Sequence, residues 1–301
     1  MQALYSYFKN EKPDMSLFEK ELFRSIDQVY DLYLIILGLL KGIHQNSMMI
    51  IDENKHKRLP GHEDLNPNLK FISNQVLLAI SDNKELDMLL EKRKLLDLFD
   101  NDLIRKMLSE LRKTEEYAAY MNERDQQLKS DRDILVFLIV KILNENDVLK
   151  SLIEDKNIYW SDDLHAAYAM VLKNLELFKD KFVLMPLYKD EKDDKDFIRL
   201  LFEKTILYKE SAFDLIKHHL KNWEPDRIAE MDMLLMQMCI TEFMYLPNVP
   251  VKASLNEYID ISKEYSTPNS KVFINGILDK VVLQLKSENR IIKEGRGLKE
   301  S

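Results

Sequence analysis

The sequence predicts an all-α protein, and three observations support that prediction. The 301 residues include only 6 Gly and 8 Pro, too few for a turn-rich β protein, and residue types common in helical proteins dominate. Apolar residues recur three and four positions apart along most of the chain, which is the spacing of one helix face. We find no stretch with the apolar–polar alternation that is typical of a half-buried strand.

The first long helix begins after Ser16 and extends towards Lys55, because Leu22, Ile26 and Val29 open one continuous apolar face. Residues 57–68 carry two prolines and a glycine and are predicted to form a loop. Further helices are predicted at 69–81, 84–99, 102–121, 125–145, 147–155 and 160–181. The charged run 190–196 is predicted to be a linker. Helices then follow at 197–208, 211–221, 226–245, 254–265 and 268–286.

Bulk features indicate a cytoplasmic protein. The single Cys239 falls in an apolar helical run, which predicts a buried thiol and a reducing compartment. The first residues lack the basic n-region of a cleavable signal. The longest apolar run, 32–40, is bounded by Asp31 and Lys41 and is too short to span a bilayer.

The net charge of −8 is unfavourable for a nucleic-acid-binding protein, but it is unevenly distributed. Residues 197–301 hold 15 basic and 15 acidic side chains, whereas residues 1–196 hold 29 basic and 37 acidic ones. The carboxy-terminal part is therefore not repelled by phosphate overall. Its last residues are locally basic through Arg290, Lys293, Arg296 and Lys299.

Residues 249–276 are the most informative stretch. Ser254 and Glu257 match a Ser-x-x-Glu capping box, which predicts a helix start at Ser254. Ser262 is expected on the buried face as a small residue that lets a neighbouring helix come close. Pro268 suits the first turn of a following helix, because its missing N–H costs nothing there.

The last helix is predicted to bury Phe273, Ile277, Val281 and Leu285 on one face. Gly276 lies inside this helix and costs about 1 kcal/mol relative to Ala. We therefore expect another backbone or a ligand to approach closely at Gly276.

This stretch resembles the signature of the NusB family of transcription antitermination factors, I-P-x-x-V-x-I-N-E-x-x-x-x-A-K followed by S-x-x-F-V-N-G-x-L-D. Val249-Pro250 stands for Ile-Pro, Leu255-Asn256-Glu257 for Ile-Asn-Glu, and Ser262-Lys263 for Ala-Lys. Ala253 replaces the valine. The second block matches Ser270 and the run Phe273-Ile274-Asn275-Gly276-Ile277-Leu278-Asp279.

Two other blocks support the resemblance. The first six residues, Met1-Gln2-Ala3-Leu4-Tyr5-Ser6, resemble the end of the family's first helix. Residues 197–246 resemble its central helices, through Asp226-Arg227-Ile228, Asp232 and Thr241-Glu242-Phe243. The resemblance implies a NusB-like helical bundle with a large additional helical insertion, as in long, Bacteroidetes-like members. We expect residues 1–15 to end the first helix, 16–196 to form the insertion, 197–286 the core and 287–301 a charged tail.

The resemblance further implies binding of boxA-type single-stranded RNA together with the ribosomal protein NusE, in the RNA polymerase antitermination complex on ribosomal RNA operons. RNA contact in the family involves an arginine-rich start of the first helix. This sequence begins at Met1, within the matching helix. Either the start is assigned too late or this copy binds RNA weakly; Arg/Lys-rich codons in frame upstream would favour the first alternative. Gln2 and Tyr5 remain from the helix, and Tyr5 either stacks on a base or packs the helix.

The other expected RNA contacts lie around the turn before the last helix. Phe273 is either near the RNA face or part of the core. Asn269 stands where many relatives have an acid, so it removes repulsion from phosphate and offers a hydrogen-bond donor. Lys252 and Lys271 are candidates for phosphate contact or are simply solvated. Asp232 is a candidate for contact with NusE or lies on a solvated helix face.

The sequence gives little support for catalysis, a cofactor or a metal. It lacks the P-loop, G-x-G-x-x-G, H-E-x-x-H and G-x-S-x-G motifs. His218 and His219 are adjacent, so they do not form a chelating i,i+4 pair. Two alternatives stay open. One is a helical adaptor that binds only proteins, and the other is the RNA-binding domain of an RNA methyltransferase, which the absence of cofactor-binding βα units disfavours.

Overall fold

A computed structural model describes residues 1–96, 98–160, 163–220 and 227–298. Within these ranges every regular element is helical, which confirms the predicted all-α class. The first ten helices are α1 Gln2–Lys9, α2 Met15–Lys55, α3 His62–Leu65, α4 Gln75–Ser81, α5 Lys84–Lys92, α6 Asn101–Arg112, α7 Glu115–Asn122, α8 Leu128–Phe137, α9 Asp147–Lys156 and α10 Leu164–Leu177. The others are α11 Glu191–Leu207, α12 Lys209–His219, α13 Glu230–Tyr245, α14 Val251–Tyr265 and α15 Ser270–Ser287.

The chain forms two compact units, and the division falls inside α2. One unit contains Arg24–Leu187. The other, which we call the terminal unit, contains Met1–Phe23 and Tyr188–Ser301. Each unit has its own cluster of buried apolar side chains. The two ends of the chain therefore share one core, as expected if the first and last matching blocks belong to one bundle.

Capping side chains divide segments that apolar periodicity joins. The predicted helix 102–121 is wrong as a single element, because Thr114 ends α6 and caps α7 by accepting from the Tyr117 amide at 3.2 Å.

The predicted linker 190–196 is also wrong. Asp190 accepts hydrogen bonds from the amides of Lys192 and Asp193, both at 3.1 Å, and the run forms the first turns of α11. Acidic side chains are favourable at the positive end of a helix.

Helix α2 is the core helix of the unit Arg24–Leu187. It contains an 18-residue window with a mean hydropathy of 1.4, so by length and composition it could cross a membrane. The run 32–40, considered alone, is too short to show this. Of that window, 56% is buried inside the chain. Its buried Asp31 accepts a hydrogen bond from Arg93 at 2.6 Å. We interpret α2 as a packed core helix, because it carries a paired buried charge and contacts protein.

In the terminal unit, α13 is the central helix and contacts α11, α12, α14 and α15. All residues from Leu234 to Phe243 are buried, so this helix is surrounded by protein. Cys239 is free and buried, as predicted, and burial raises the pKa of its thiol. On α15, Ile277, Val281 and Leu285 are buried, which confirms most of the predicted stripe.

Candidate functional site

The turn between α14 and α15 is fixed by Asp232 of the neighbouring helix α13. The Ser270 hydroxyl donates to Oδ2 of Asp232 at 2.7 Å, and the Ser266 hydroxyl donates to Oδ1. The Thr267 and Ser270 hydroxyl oxygens are 2.8 Å apart. These bonds tie both ends of the turn to the bundle, so the residues between them are presented in a defined position.

This arrangement corrects the expectation that Asp232 lies on a solvated helix face. Its side chain is 5% exposed and faces the turn. A contact with NusE stays a prediction, but burial leaves little of the carboxylate for a partner. Its observed contacts hold the two ends of the turn. The sequence signal was present, since Ser266 and Ser270 are hydroxyl residues at the two ends of the turn.

The structure brings Tyr5 of α1 to this turn. Tyr5 lines a cavity of about 550 Å³ together with Tyr265, Ser266 and Thr267. Tyr5 is about 260 positions away from these three residues in the sequence, yet all four belong to the terminal unit. The two regions that the resemblance associates with RNA, the first helix and the turn before the last, therefore meet at one surface, which we call the Tyr5 corner.

Charges at the Tyr5 corner have both signs. Glu230 and Glu264 line the same cavity. Lys9 forms an ion pair with Glu230 at 2.6 Å, and its Nζ lies 5.6 Å from the centre of the Tyr5 ring. The hydrogen bond from Lys9 lowers the pKa of Glu230. Because this pair is exposed, it contributes little to stability, but it neutralises one carboxylate next to the aromatic ring.

Four other residues that are predicted to contact RNA are wholly or partly accessible. Gln2 is exposed on α1, and Lys271 is exposed on the first turn of α15. Asn269 precedes α15, but its exposed side chain makes no capping hydrogen bond, so its amide is available to a ligand. Phe273 is half-buried and packs against the terminal unit's core. One part of its ring is therefore structural, and the stacking role stays a prediction.

Lys252 lies away from this group. It is exposed on the first turn of α14, whereas the turn that follows begins after Tyr265 at the other end of the helix. At 1.5 Å per residue, about 20 Å of helix separates the two ends. A ligand that contacts both Lys252 and the Tyr5 corner has to be extended.

The predicted capping box at Ser254 is wrong. Helix α14 begins at Val251, after Pro250, so Ser254 lies inside the first turn and is fully buried. Its hydroxyl donates to Glu242 of α13 at 2.6 Å. The Tyr258 hydroxyl donates to the other carboxylate oxygen of Glu242 at 2.9 Å. Serine appears here because a buried carboxylate needs donors, and burial raises the pKa of Glu242.

The basic character expected of the carboxy-terminal tail is only partly available at the surface. Lys293 donates to the backbone carbonyls of Glu242 at 3.1 Å and Leu246 at 2.9 Å, so its ammonium group caps the end of α13. Burial lowers the pKa of Lys293 to about 8. A Cβ on Gly297 would lie 1.9 Å from the carbonyl oxygen of Pro247, so only glycine allows this contact. Lys299 lies outside the described residues, as does Asp226 of the central motif.

Close packing among the described residues does not explain Gly276. A Cβ built on it meets no atom within 4 Å in the part of the chain that the structure describes. The expectation that another backbone segment approaches is therefore wrong, and the approach of a ligand or partner remains.

We expect Gly276→Ala to raise the free energy of unfolding by about 0.5–1 kcal/mol. The reason is that the added methyl group has space at this position and alanine is the better helix former. Urea denaturation of both proteins measures the change. If the same substitution also weakens RNA or partner binding at least threefold, something approaches Gly276 in the complex; unchanged binding would exclude that.

The two adjacent histidines make other contacts in this structure. His219 Nε2 lies 2.7 Å from Oε1 of Gln284, and the His218 and His219 rings meet edge to face. Among the described residues, no group of three or more His, Cys, Asp and Glu side chains has a geometry that could hold a metal ion.

The fold and the Tyr5 corner define a helical-bundle protein with a preformed polar turn beside an aromatic ring. Residues 164–283 match the NusB family. The transcription antitermination protein NusB of Salinibacter ruber is 42% identical over 116 residues, which is 38% of this chain and 72% of that protein. The NusB protein of Desulfatibacillum aliphaticivorans is 38% identical over 103 residues, 33% of this chain and 72% of that protein.

A third relative, the NusB protein of Chloroherpeton thalassium, is 43% identical over 104 residues, 35% of this chain and 49% of that protein. No solved structure matches the chain. This chain belongs to the NusB family. The family match begins at α10, earlier than the motifs indicate, and does not include residues 1–6. The role of the amino-terminal block therefore still depends on its own sequence and on its position in the terminal unit.

Proposed function

We propose that this protein is a transcription antitermination factor that binds boxA-type single-stranded RNA together with the ribosomal protein NusE. In this role it supports transcription of ribosomal RNA operons by RNA polymerase in the cytoplasm. The proposal assigns assembly to the protein, without bond chemistry, a cofactor or a metal. Membership of the NusB family supports the general function. The single structural observation that supports RNA binding is the meeting of Tyr5 with the turn before α15.

The residues predicted to contact RNA lie at the corner or along the path of the strand. Tyr5 and the accessible part of Phe273 offer aromatic surfaces for unstacked bases. Asn269 donates to a phosphate or base, and Lys271 contacts a phosphate beside it. Lys252 contacts the same strand about 20 Å away, and Gln2 lies on the exposed side of α1. Asp232 holds the turn in place.

The proposal predicts that RNA affinity falls with rising salt, because each phosphate contact releases counterions. Binding of a boxA oligonucleotide and a scrambled one is measured with NusE present, at two salt concentrations. Lys271→Ala is expected to reduce the slope of log affinity against log salt by about 0.7, the value per contact for a single strand. Equal affinity for both oligonucleotides at both salt concentrations would rule the proposal out.

Lys280→Ala is the matched control for Lys271→Ala. Both lysines are exposed on α15, and nine positions at 100° each place them on opposite sides of the helix. Lys280→Ala is therefore expected to leave the salt slope unchanged. An equal effect of the two substitutions would indicate general attraction of RNA to positive charge and no defined contact at Lys271.

One observation favours a second candidate, an adaptor that binds only proteins. Glu264 lines the cavity at the Tyr5 corner in addition to Glu230, which Lys9 neutralises, and a carboxylate disfavours a nearby phosphate. The adaptor hypothesis predicts tight NusE binding that added boxA RNA does not change. The same titration therefore separates the two candidates.

A further inference from the structure

A second cavity adjoins the Tyr5 corner in the terminal unit. Its volume is about 450 Å³, within the range of pockets that hold small molecules. Helices α1, α12 and α13 line it, and three of its walls are the aromatic side chains Tyr5, Phe8 and Phe213. Tyr5 and Glu230 line both cavities, so the second cavity begins where the Tyr5 corner ends.

Two lysines stand at this cavity. Lys209 Nζ lies 4.2 Å from the centre of the Phe8 ring, a short cation–π distance. Lys9 lies beside Tyr5 and is paired with Glu230, so the acid at the rim is already neutralised. The lining of the cavity therefore combines three aromatic rings with two lysines, one of which is paired with Glu230. Sites for single-stranded nucleic acid likewise combine aromatic side chains with basic ones.

A nearly buried amide also lines the cavity. Gln237 is 3% exposed, and its Nε2 donates to the Lys209 carbonyl at a long 3.4 Å. Among the described residues this is the one hydrogen bond of the Gln237 side chain. Most of the donor and acceptor capacity of the amide is therefore unused. A primary amide offers both a donor and an acceptor, which suits the edge of a nucleobase.

We propose that this cavity receives an unstacked nucleobase of the same RNA strand that crosses the Tyr5 corner. The inference rests on the proposed function and deepens it, because it assigns a base-binding pocket to residues that no sequence motif indicated. The base stacks on Phe213, the Gln237 amide contacts its edge, and Lys209, which lies over the Phe8 ring, contacts a flanking phosphate. Tyr5 stands between the turn and the pocket, so one continuous strand reaches both.

The test is an abasic scan of a boxA oligonucleotide, with NusE present, against the wild-type protein and Phe213→Ala. In the wild type, removal of one particular base is expected to weaken binding roughly tenfold or more, as loss of one stacked base does. Phe213→Ala is expected to weaken binding of the intact RNA to a similar extent. It should also abolish the penalty at that one position and leave the others unchanged.

Phe197→Ala is the matched control, since Phe197 is a 37% exposed phenylalanine of the same unit that does not line this pocket. It is expected to keep the wild-type pattern of abasic penalties. If Phe213→Ala loses helical content, the test uses Lys209→Gln instead, which keeps the three aromatic rings of the cavity. This variant should reduce the salt slope by about 0.7. Photo-crosslinking of a 5-iodouridine probe to the Phe8 or Phe213 peptide gives an independent readout.

Three results would overturn the inference. Identical abasic penalties in the wild type and Phe213→Ala, with RNA still bound, reject the pocket and leave the proposed function intact. Weaker NusE binding by Phe213→Ala, with unchanged RNA binding in the absence of NusE, makes the cavity a protein-docking site. Failure of the wild type to prefer boxA RNA under any of these conditions rejects the proposed function and the pocket together.

Discussion

Glu242→Ala is expected to lower the free energy of unfolding of the terminal unit by about 2–4 kcal/mol. The substitution leaves the buried hydroxyls of Ser254 and Tyr258 without their acceptor, and each unsatisfied group costs about 1–3 kcal/mol. The same carboxylate joins α13 to α14, so protection of both helices should fall. Hydrogen-exchange mass spectrometry of peptides from α13 and α14 measures this locally, without interference from the unit Arg24–Leu187.

Glu257→Ala separates this network from the capping box that the sequence suggests. Glu257 is exposed on α14, and the helix begins before Ser254, so its removal should change the free energy by less than about 0.5 kcal/mol. A capping glutamate, by contrast, would cost about 1 kcal/mol. A loss at Glu257 as large as that at Glu242 would contradict the structure.

The same network predicts a pH dependence. Burial raises the pKa of Glu242 above its ordinary value of 4.5, so the folded chain holds this proton more tightly than the unfolded chain. The stability contributed by Glu242 is therefore fully present below pH 4.5 and decreases as the pH rises through the raised pKa. Glu242→Gln removes the ionisation, so it should flatten this part of the curve relative to the wild type.

Asp232→Ala is expected to cost about 2–3 kcal/mol and to weaken RNA binding at the Tyr5 corner. Two hydroxyl donors, Ser266 and Ser270, lose the buried carboxylate that accepts from them, and hydrogen bonds to charged groups contribute about 1.5–3 kcal/mol. The turn is then free to leave its position. The loss of RNA affinity is diagnostic, because removal of a negative charge would by itself strengthen RNA binding. Denaturation and RNA titration of the same variant measure both effects.

Asp279→Ala is the control for Asp232→Ala. Asp279 is an exposed aspartate on α15 that accepts a hydrogen bond from Asn275 at 3.1 Å, so its removal should cost less than about 0.5 kcal/mol. Tighter RNA binding by Asp232→Ala, with unchanged stability, would contradict the positioning role and return Asp232 to a surface contact.

Helix existence was predictable, whereas helix limits were not. The apolar period located α2 and the last two helices because burial of one face is a local property of the sequence. The apolar period continues across Thr114, although the Thr114 side chain caps a new helix there. It does not extend back to Glu191, although the Asp190 side chain caps α11 at that point. The charged run before Phe197 appeared to be a linker because its stability as a helix comes from capping and the helix dipole, which hydrophobic patterning does not report.

The sequence proposed residues for the candidate site but could not show how they lie relative to one another. Motif resemblance selected Tyr5 and the turn after Tyr265, and these meet in the structure. It also selected Lys252, which lies at the far end of α14. Phe8, Lys209 and Phe213 carry no motif, and only the packing of α1 against α12 and α13 brings them to one cavity.

By itself, the sequence determined the helical class, the buried thiol at Cys239 and the family, since each depends on local pattern or on residue identity along the chain. The tertiary structure decided what the polar residues do. From sequence we interpreted Ser254 as a helix cap, Asp232 as a possible surface acid and Lys293 as part of a basic tail. In the structure each of them is hydrogen-bonded to a residue on another segment of the chain. The physical reason is that a buried polar group must find a hydrogen-bond partner, and long-range packing determines which partner is near.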